Sequence, residues 1–199
     1  MKEKERNVKE MKEQLKKELD GKRYEHTIGV AYTAAALAMA YHSDVNQAFL
    51  AGLLHDCAKC MKKQDRELFC KKHHIQLTEE EIQIPALQHA KIGSVYCETK
   101  YHISDPEIKT AILYHTTGKP DMTMLEKIIC IADYIEPNRV YPGVETLRQI
   151  AYRNLNAGLL ASLDQTILHL MHEGTLLHPY SIATRNRIMA EQINRNKQS

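Results

Sequence analysis

The chain has 199 residues, enough for one hydrophobic core but not for two independent ones, so one domain over residues 1–199 is expected. Charged residues make up 26% yet the formal net charge is only +2, which argues against a strong field toward nucleic acid or membrane, and neither is expected as a partner. The five cysteines are odd in number and scattered, and no long apolar span or signal peptide is evident, so a disulfide scaffold is excluded and a reducing cytoplasm is the expected location.

In chain order, residues 3–19 read as a charged surface helix with a narrow apolar stripe of Val8, Met11, Leu15 and Leu19, closed by Asp20-Gly21 as a glycine C-cap. A second helix runs from Arg23 to about Tyr41, with Gly29, Val30, Thr33, Leu37 and Ala40 on one side; His26 heads that same side. Asp44, with Gln47 three residues on, resembles a capping box opening the next helix. That helix carries the stretch about which the chain is organised, Leu53-Leu54-His55-Asp56-Cys57-Ala58-Lys59. Asp56 falls at i+7 from Phe49 and i+3 from Leu53, and His55 follows Ala48, Ala51 and Gly52, so an imidazole and a carboxylate occupy inward positions. A carboxylate taken out of water must be paired or bound to a cation, and one divalent metal satisfies both groups. Cys57-x-x-Cys60 lacks a second Cys or His pair at finger spacing, so buried thiols are the favoured reading.

Lys59 to Lys72 is a basic stretch, read as a loop and short surface helix. Thr78-Glu79-Glu80-Glu81 marks a helix start, and Pro85 opens or kinks a helix through Ala86, His89, Gly93 and Tyr96 with His89 inward. Asp105-Pro106 starts another, whose stripe of Ile108, Ala111 and Ile112 ends at His115 before the breaker Thr116-Thr117-Gly118-Lys119-Pro120. From Leu125 to Glu136, Ile129 and Ala132 flank Asp133, an aspartate in a packing position, and Pro137 stops the run. Three more helices follow at Val144–Asn154, Ala157–Glu173 and Pro179 to about Ile193, with a frayed polar tail over 194–199. Strand-like alternation is weak throughout, so the fold class is all-α, a single-domain helical bundle with short connections.

Four helices thus present His26, His89, His115 and Asp133 inward, and a fifth presents His55-Asp56. Each alone reads as a core residue with its own hydrogen-bond partner. Together they favour a shared metal centre, which satisfies all of them at once.

His26, then His55-Asp56, then Asp133 is the H…HD…D pattern, and with it the chain resembles the HD-domain metal-dependent phosphohydrolases. The runs Arg23-Tyr24-Glu25-His26-Thr27, Leu53 to Lys59, Gln88-His89-Ala90, Tyr114-His115-Thr116-Thr117-Gly118 and Ala132-Asp133-Tyr134-Ile135-Glu136-Pro137-Asn138-Arg139 are similar to the YqeK-type bacterial branch. The likeness covers about 22–187, an HD-type core flanked by the charged N-terminal helix and the tail. It implies a bis(5'-nucleosyl)-tetraphosphatase that cleaves diadenosine tetraphosphate symmetrically to two ADP, with iron as cofactor.

Carried onto this chain, the resemblance makes His26, His55, Asp56 and Asp133 the metal ligands and places His89 and His115 at a second metal or at the substrate phosphates. Catalytic roles fall to Asp56, Lys59, His89 and His115. Substrate contacts fall to Arg23, His26, Asp56, His89, His115, Thr116, Asp133 and Arg139. An N/O donor set with carboxylates suits iron, manganese or another divalent metal with open positions better than a closed structural zinc site. Arg23, Lys59 and Arg139 are cations placed to meet non-bridging phosphate oxygens. The run His178 to Asn186 also resembles the branch and is expected to bound the nucleoside pocket. The competing readings are another HD-type nucleotide phosphohydrolase, a metal-containing nucleotide sensor, and a helical interaction scaffold, which explains the folding pattern but not the six inward polar residues; a homodimer is a further possibility.

Overall fold

The computed structural model describes residues 2–196, and among them there are eleven α-helices, one 3₁₀ turn and no strand. They are α1 (Lys2–Glu18), α2 (Gly21–Ala40), α3 (Val45–Leu54), α4 (Lys63–Lys72), α5 (Glu79–Gln83), the 3₁₀ turn Pro85–Leu87, α6 (Gln88–Tyr101), α7 (Pro106–Tyr114), α8 (Met124–Ile135), α9 (Val144–Arg153), α10 (Leu155–His172) and α11 (Pro179–Asn196). The expected all-α single-domain bundle is what forms. α8 is its axis. Ile128, Ile129, Ile131 and Ala132 are completely buried because α2, α3, α7, α9 and α10 all pack around that helix. Burying an aliphatic side chain of this kind contributes roughly 2 kcal/mol, so the four buried isoleucines of α8 together contribute roughly 8 kcal/mol to bundling.

The caps explain why the helices start where they do. Asp20, Asp44, Thr78, Asp105 and Thr123 each accept a hydrogen bond from backbone N–H groups of the first turn, which would otherwise lack partners. Two of the expected caps need correction. Gly21 is not a C-cap: Asp20 instead accepts from the Arg23 N–H, so the pair begins α2 rather than ending α1. The Asp44 box is half made, since the Gln47 side chain donates to Asp105 Oδ2 and ties the starts of α3 and α7 together. The stripe of α1 is inward as expected, with Met11 and Leu15 in the main core. α10 opens at Leu155 rather than Ala157 because Asn154 both ends α9 and caps α10. α11 continues to Asn196, and residues 197–199 of the expected frayed tail lie outside the described residues.

α2 and α3 lie unusually close. A Cβ on Gly52 would come within 2.9 Å of the Ala31 Cα and 3.0 Å of the Val30 carbonyl oxygen. Only glycine lets the two backbones approach this far, and that approach brings His26 to the end of α3.

Candidate metal centre

Five helices deliver six side chains to one place. His26 comes from α2, His55 and Asp56 from the turn just past α3, His89 from the first turn of α6, His115 from the residue after α7, and Asp133 from the last turn of α8. His55 and Asp56 are therefore not on a helix face, as their spacing suggested, but in the turn that ends it. Their donor atoms fall into three overlapping triplets: His26, His55 and Asp56; His55, His115 and Asp133; Asp56, His89 and His115. Within each triplet the atoms lie within 4.8 Å of one another. The imidazoles form an edge-to-face row, His26 to His55 at 5.3 Å, His55 to His115 at 5.1 Å and His115 to His89 at 5.1 Å between ring centres.

Each ring is oriented by its outer nitrogen. Nδ1 of His55, His89 and His115 lies 2.7, 2.6 and 2.7 Å from the carbonyl oxygens of Gly52, Ala86 and Ile112, in each case three residues back. A carbonyl only accepts, so Nδ1 carries the proton and Nε2 turns a lone pair inward. His26 uses a side chain instead, donating Nδ1–H to Glu136 Oε1 at 3.1 Å. Four imidazoles thus offer lone pairs to one centre. Across it, His26 Nε2 is 3.0 Å from Asp133 Oδ1, and His89 Nε2 is 3.0 Å from Asp56 Oδ1.

The centre fits a divalent cation. His26 Nε2, His55 Nε2 and Asp56 Oδ1 are buried and lack a partner in hydrogen-bonding geometry, although each faces other donor atoms. Buried polar atoms without partners cost roughly 1–3 kcal/mol each, a cost that a shared cation removes. Burial pulls His55 down to about 4, against the upward pull of Asp56 and Asp133, so it is held neutral as a ligand must be. Burial also lowers His89. Burial raises Asp56, but His55, His115 and His89 outweigh it and hold the carboxyl well below the usual range. Asp133 is likewise lowered, its burial outweighed by His26, His55 and Arg139.

Three cations surround the centre. Arg23 Nη1 is 2.8 Å from Asp56 Oδ2, and Arg139 reaches Asp133 Oδ1 from Nη2 at 2.5 Å. Lys59 Nζ sits 3.2 Å from both ring nitrogens of His89, and burial lowers its pKa. Arg23, His26 and Arg139 line an open mouth of about 470 Å³ with Glu25, Glu136 and Asn138. Thr116 belongs to a different wall. It lines an apolar cavity of about 560 Å³ with Thr117, Ala86, Leu87, Leu170, Leu176 and His178, beside the backbone that carries His89 and His115. His178 and Ser181 of the C-terminal run stand on that wall.

The cysteines stay out. Cys57 is buried against the Gly93 carbonyl, Cys60 is exposed beside Asp20, and neither joins a donor triplet. Glu136, which sequence reasoning passed over, is the buried partner of His26. Its signal was present: an acidic residue at i+3 from Asp133 at the end of an apolar helix.

A family model described as the HD domain matches residues 23–138. The chain belongs to the HD-domain family. It is 40% identical over 180 residues to the symmetrical bis(5'-nucleosyl)-tetraphosphatase of Halalkalibacterium halodurans, covering 89% of this chain and 95% of the relative. The Bacillus subtilis protein of the same description is 36% identical, with 88% and 94% covered. A crystal structure from Clostridium acetobutylicum, described as a predicted HD superfamily hydrolase involved in NAD metabolism, superposes with a TM-score of 0.88 at 39% identity, covering 92% of this chain and 97% of that one. HD-domain centres take divalent metals, in keeping with the donor set here. Among the described residues no helix is long and apolar enough to cross a membrane.

Proposed function

We propose that the protein is a metal-dependent phosphoanhydride hydrolase that splits diadenosine tetraphosphate symmetrically into two ADP, acting in the cytoplasm with iron as its metal. The observation that carries this reading is the convergence of six N/O donors with unpartnered inward atoms, in a chain spanning nearly the full length of relatives described as symmetrical tetraphosphatases. His26, His55, Asp56 and Asp133 would hold the metal, and His89 and His115 a second metal or the phosphates. Asp56 takes part in two of the three triplets and would contribute to holding metal in either. A bound divalent ion supplies Lewis acidity, lowering the pKa of water and offsetting phosphate charge.

The chain's own residues do the rest. Arg23 and Arg139 stand at the mouth, paired with Asp56 and Asp133, and are partly exposed, so they can turn to non-bridging oxygens of an entering polyphosphate. Lys59 neutralises charge on the departing phosphate from beside His89. Thr116 donates its hydroxyl to the diphosphate half, and the neighbouring cavity has the size and apolar lining for one nucleoside. Water attacks the second phosphorus from one adenosine, and its bond to the bridging oxygen breaks, so the other half leaves as ADP.

The test is turnover of nucleotides and dinucleotides supplied with iron, manganese or zinc. The reading expects diadenosine tetraphosphate to be cleaved fastest and chelation to stop the reaction. Preference for a mononucleotide would point to another HD-type phosphohydrolase, and binding without turnover to a sensor.

A further inference from the structure

The four inward histidines are not held alike. His55, His89 and His115 lean on neutral backbone carbonyls of their own segments, whereas His26 leans on a carboxylate contributed by the end of another helix. That carboxylate is 1% exposed and uses both oxygens as acceptors. Glu136 Oε1 faces His26 Nδ1, while Oε2 accepts the Asn138 N–H at 2.8 Å. Its backbone is braced by Arg148 of α9, which donates to the carbonyls of Ile135 and Glu136 at 2.8 Å and of Arg139 at 3.0 Å.

Space for the carboxylate is made on α2 itself. A Cβ at Gly29 would lie 2.3 Å from Glu136 Oε2, so the glycine one turn beyond His26 keeps open the seat from which Glu136 reaches the ring. This is a second element shaped to one contact. We infer that Glu136 is a positioning residue for metal binding: seated against Gly29 and braced by Arg148, it fixes the tautomer and direction of His26 and makes that imidazole the strongest donor of the four. A carboxylate behind a ligating imidazole raises its basicity more than a carbonyl does, and loss of such a partner typically lowers metal affinity about 10–100-fold.

The inference rests on His26 as a metal-holding residue, and the experiment separates the two. Full-length wild type and the variants His26→Ala, Glu136→Gln and Gly29→Ala are titrated with Co²⁺ in competition with a chelator, and their visible absorption is recorded at saturation. Glutamine offers one acceptor where Glu136 offers two, so it cannot serve both His26 Nδ1 and the Asn138 N–H. Alanine at Gly29 keeps every functional side chain but displaces the carboxylate, which tests the seat even if Glu136→Gln folds poorly. His26→Ala is expected to lose the most affinity, and Glu136→Gln and Gly29→Ala to weaken Co²⁺ binding about 10–100-fold with a shifted absorption band at full loading. A purely structural role would leave that band unmoved. Affinities of both variants within about threefold of wild type, beside a defective His26→Ala, would overturn the role of Glu136. Undiminished binding by His26→Ala would overturn the premise instead.

Discussion

Asp56→Asn is the perturbation that reaches furthest into the centre. The substitution preserves shape and removes one charge, yet that carboxylate meets four partners: Arg23 at 2.8 Å, His89 at 3.0 Å, His115 at 3.6 Å and His55 at 3.7 Å. It also belongs to two of the three donor triplets. With metal at roughly 1,000 times its dissociation constant, binding to the native state alone stabilises the wild type by about 4 kcal/mol. In a domain of this length each kcal/mol moves the melting temperature by roughly 2–4 °C, so chelation should lower it by about 8–16 °C. Losing a direct ligand costs no less than the 10–100-fold typical of an outer partner. At a 100-fold loss the stabilisation falls to about 1.4 kcal/mol and the metal-dependent rise to about 3–6 °C. Calorimetric melting of both proteins with and without chelator, beside metal analysis, measures this directly. A variant with stoichiometric metal and the wild-type rise would refute the reasoning, because Asp56 would then be only a partner for Arg23.

His89→Ala and His115→Ala are expected to keep at least one metal while turnover falls on the order of 100-fold or more, measured by metal content and initial rates; wild-type rates in both would return them to the status of core histidines. For pH, His55 is buried and held at about 4 against 6.5 in an unfolded chain, so between those values the unfolded state binds more protons. Its contribution is complete above pH 6.5 and is lost as pH falls toward 4. His26 is shifted the opposite way, since Asp133 and Glu136 outweigh its burial, so the His55 part is best read as a difference between metal-free wild type and His55→Gln. That difference, from urea unfolding, should shrink by about 2 kcal/mol between pH 7.5 and pH 5, and a pH-independent difference would contradict it.

Much of this was legible because it rests on local chemistry. Asp44, Thr78 and Asp105 announce helix starts, and the apolar spacing on α7 and α8 carries His115 and Asp133 to the inner side. Other features depend on what folding brings together. Asp20-Gly21 satisfies the rules for ending one helix and for beginning the next, and the Arg23 N–H decides it. Thr123 and Glu126 form a complete capping box, and folding buries Glu126 beside Lys119. Glu136 precedes a proline at a helix end, where an acidic residue normally faces water. Only the approach of α2, made possible by small residues at Gly29 and Gly52, converts it into a partner for His26.

The most direct measurement is product analysis of diadenosine tetraphosphate hydrolysis in ¹⁸O-labelled water with metal supplied. If Thr116 and His115 hold one nucleoside diphosphate half while Arg23 and Arg139 meet the polyphosphate from the mouth, the attacked atom is the second phosphorus from that nucleoside. Two ADP molecules should then appear as the initial products, one of them carrying the label on its terminal phosphate. AMP and ATP as the initial pair would contradict symmetrical cleavage, because the cations and metal would then be holding the first phosphorus.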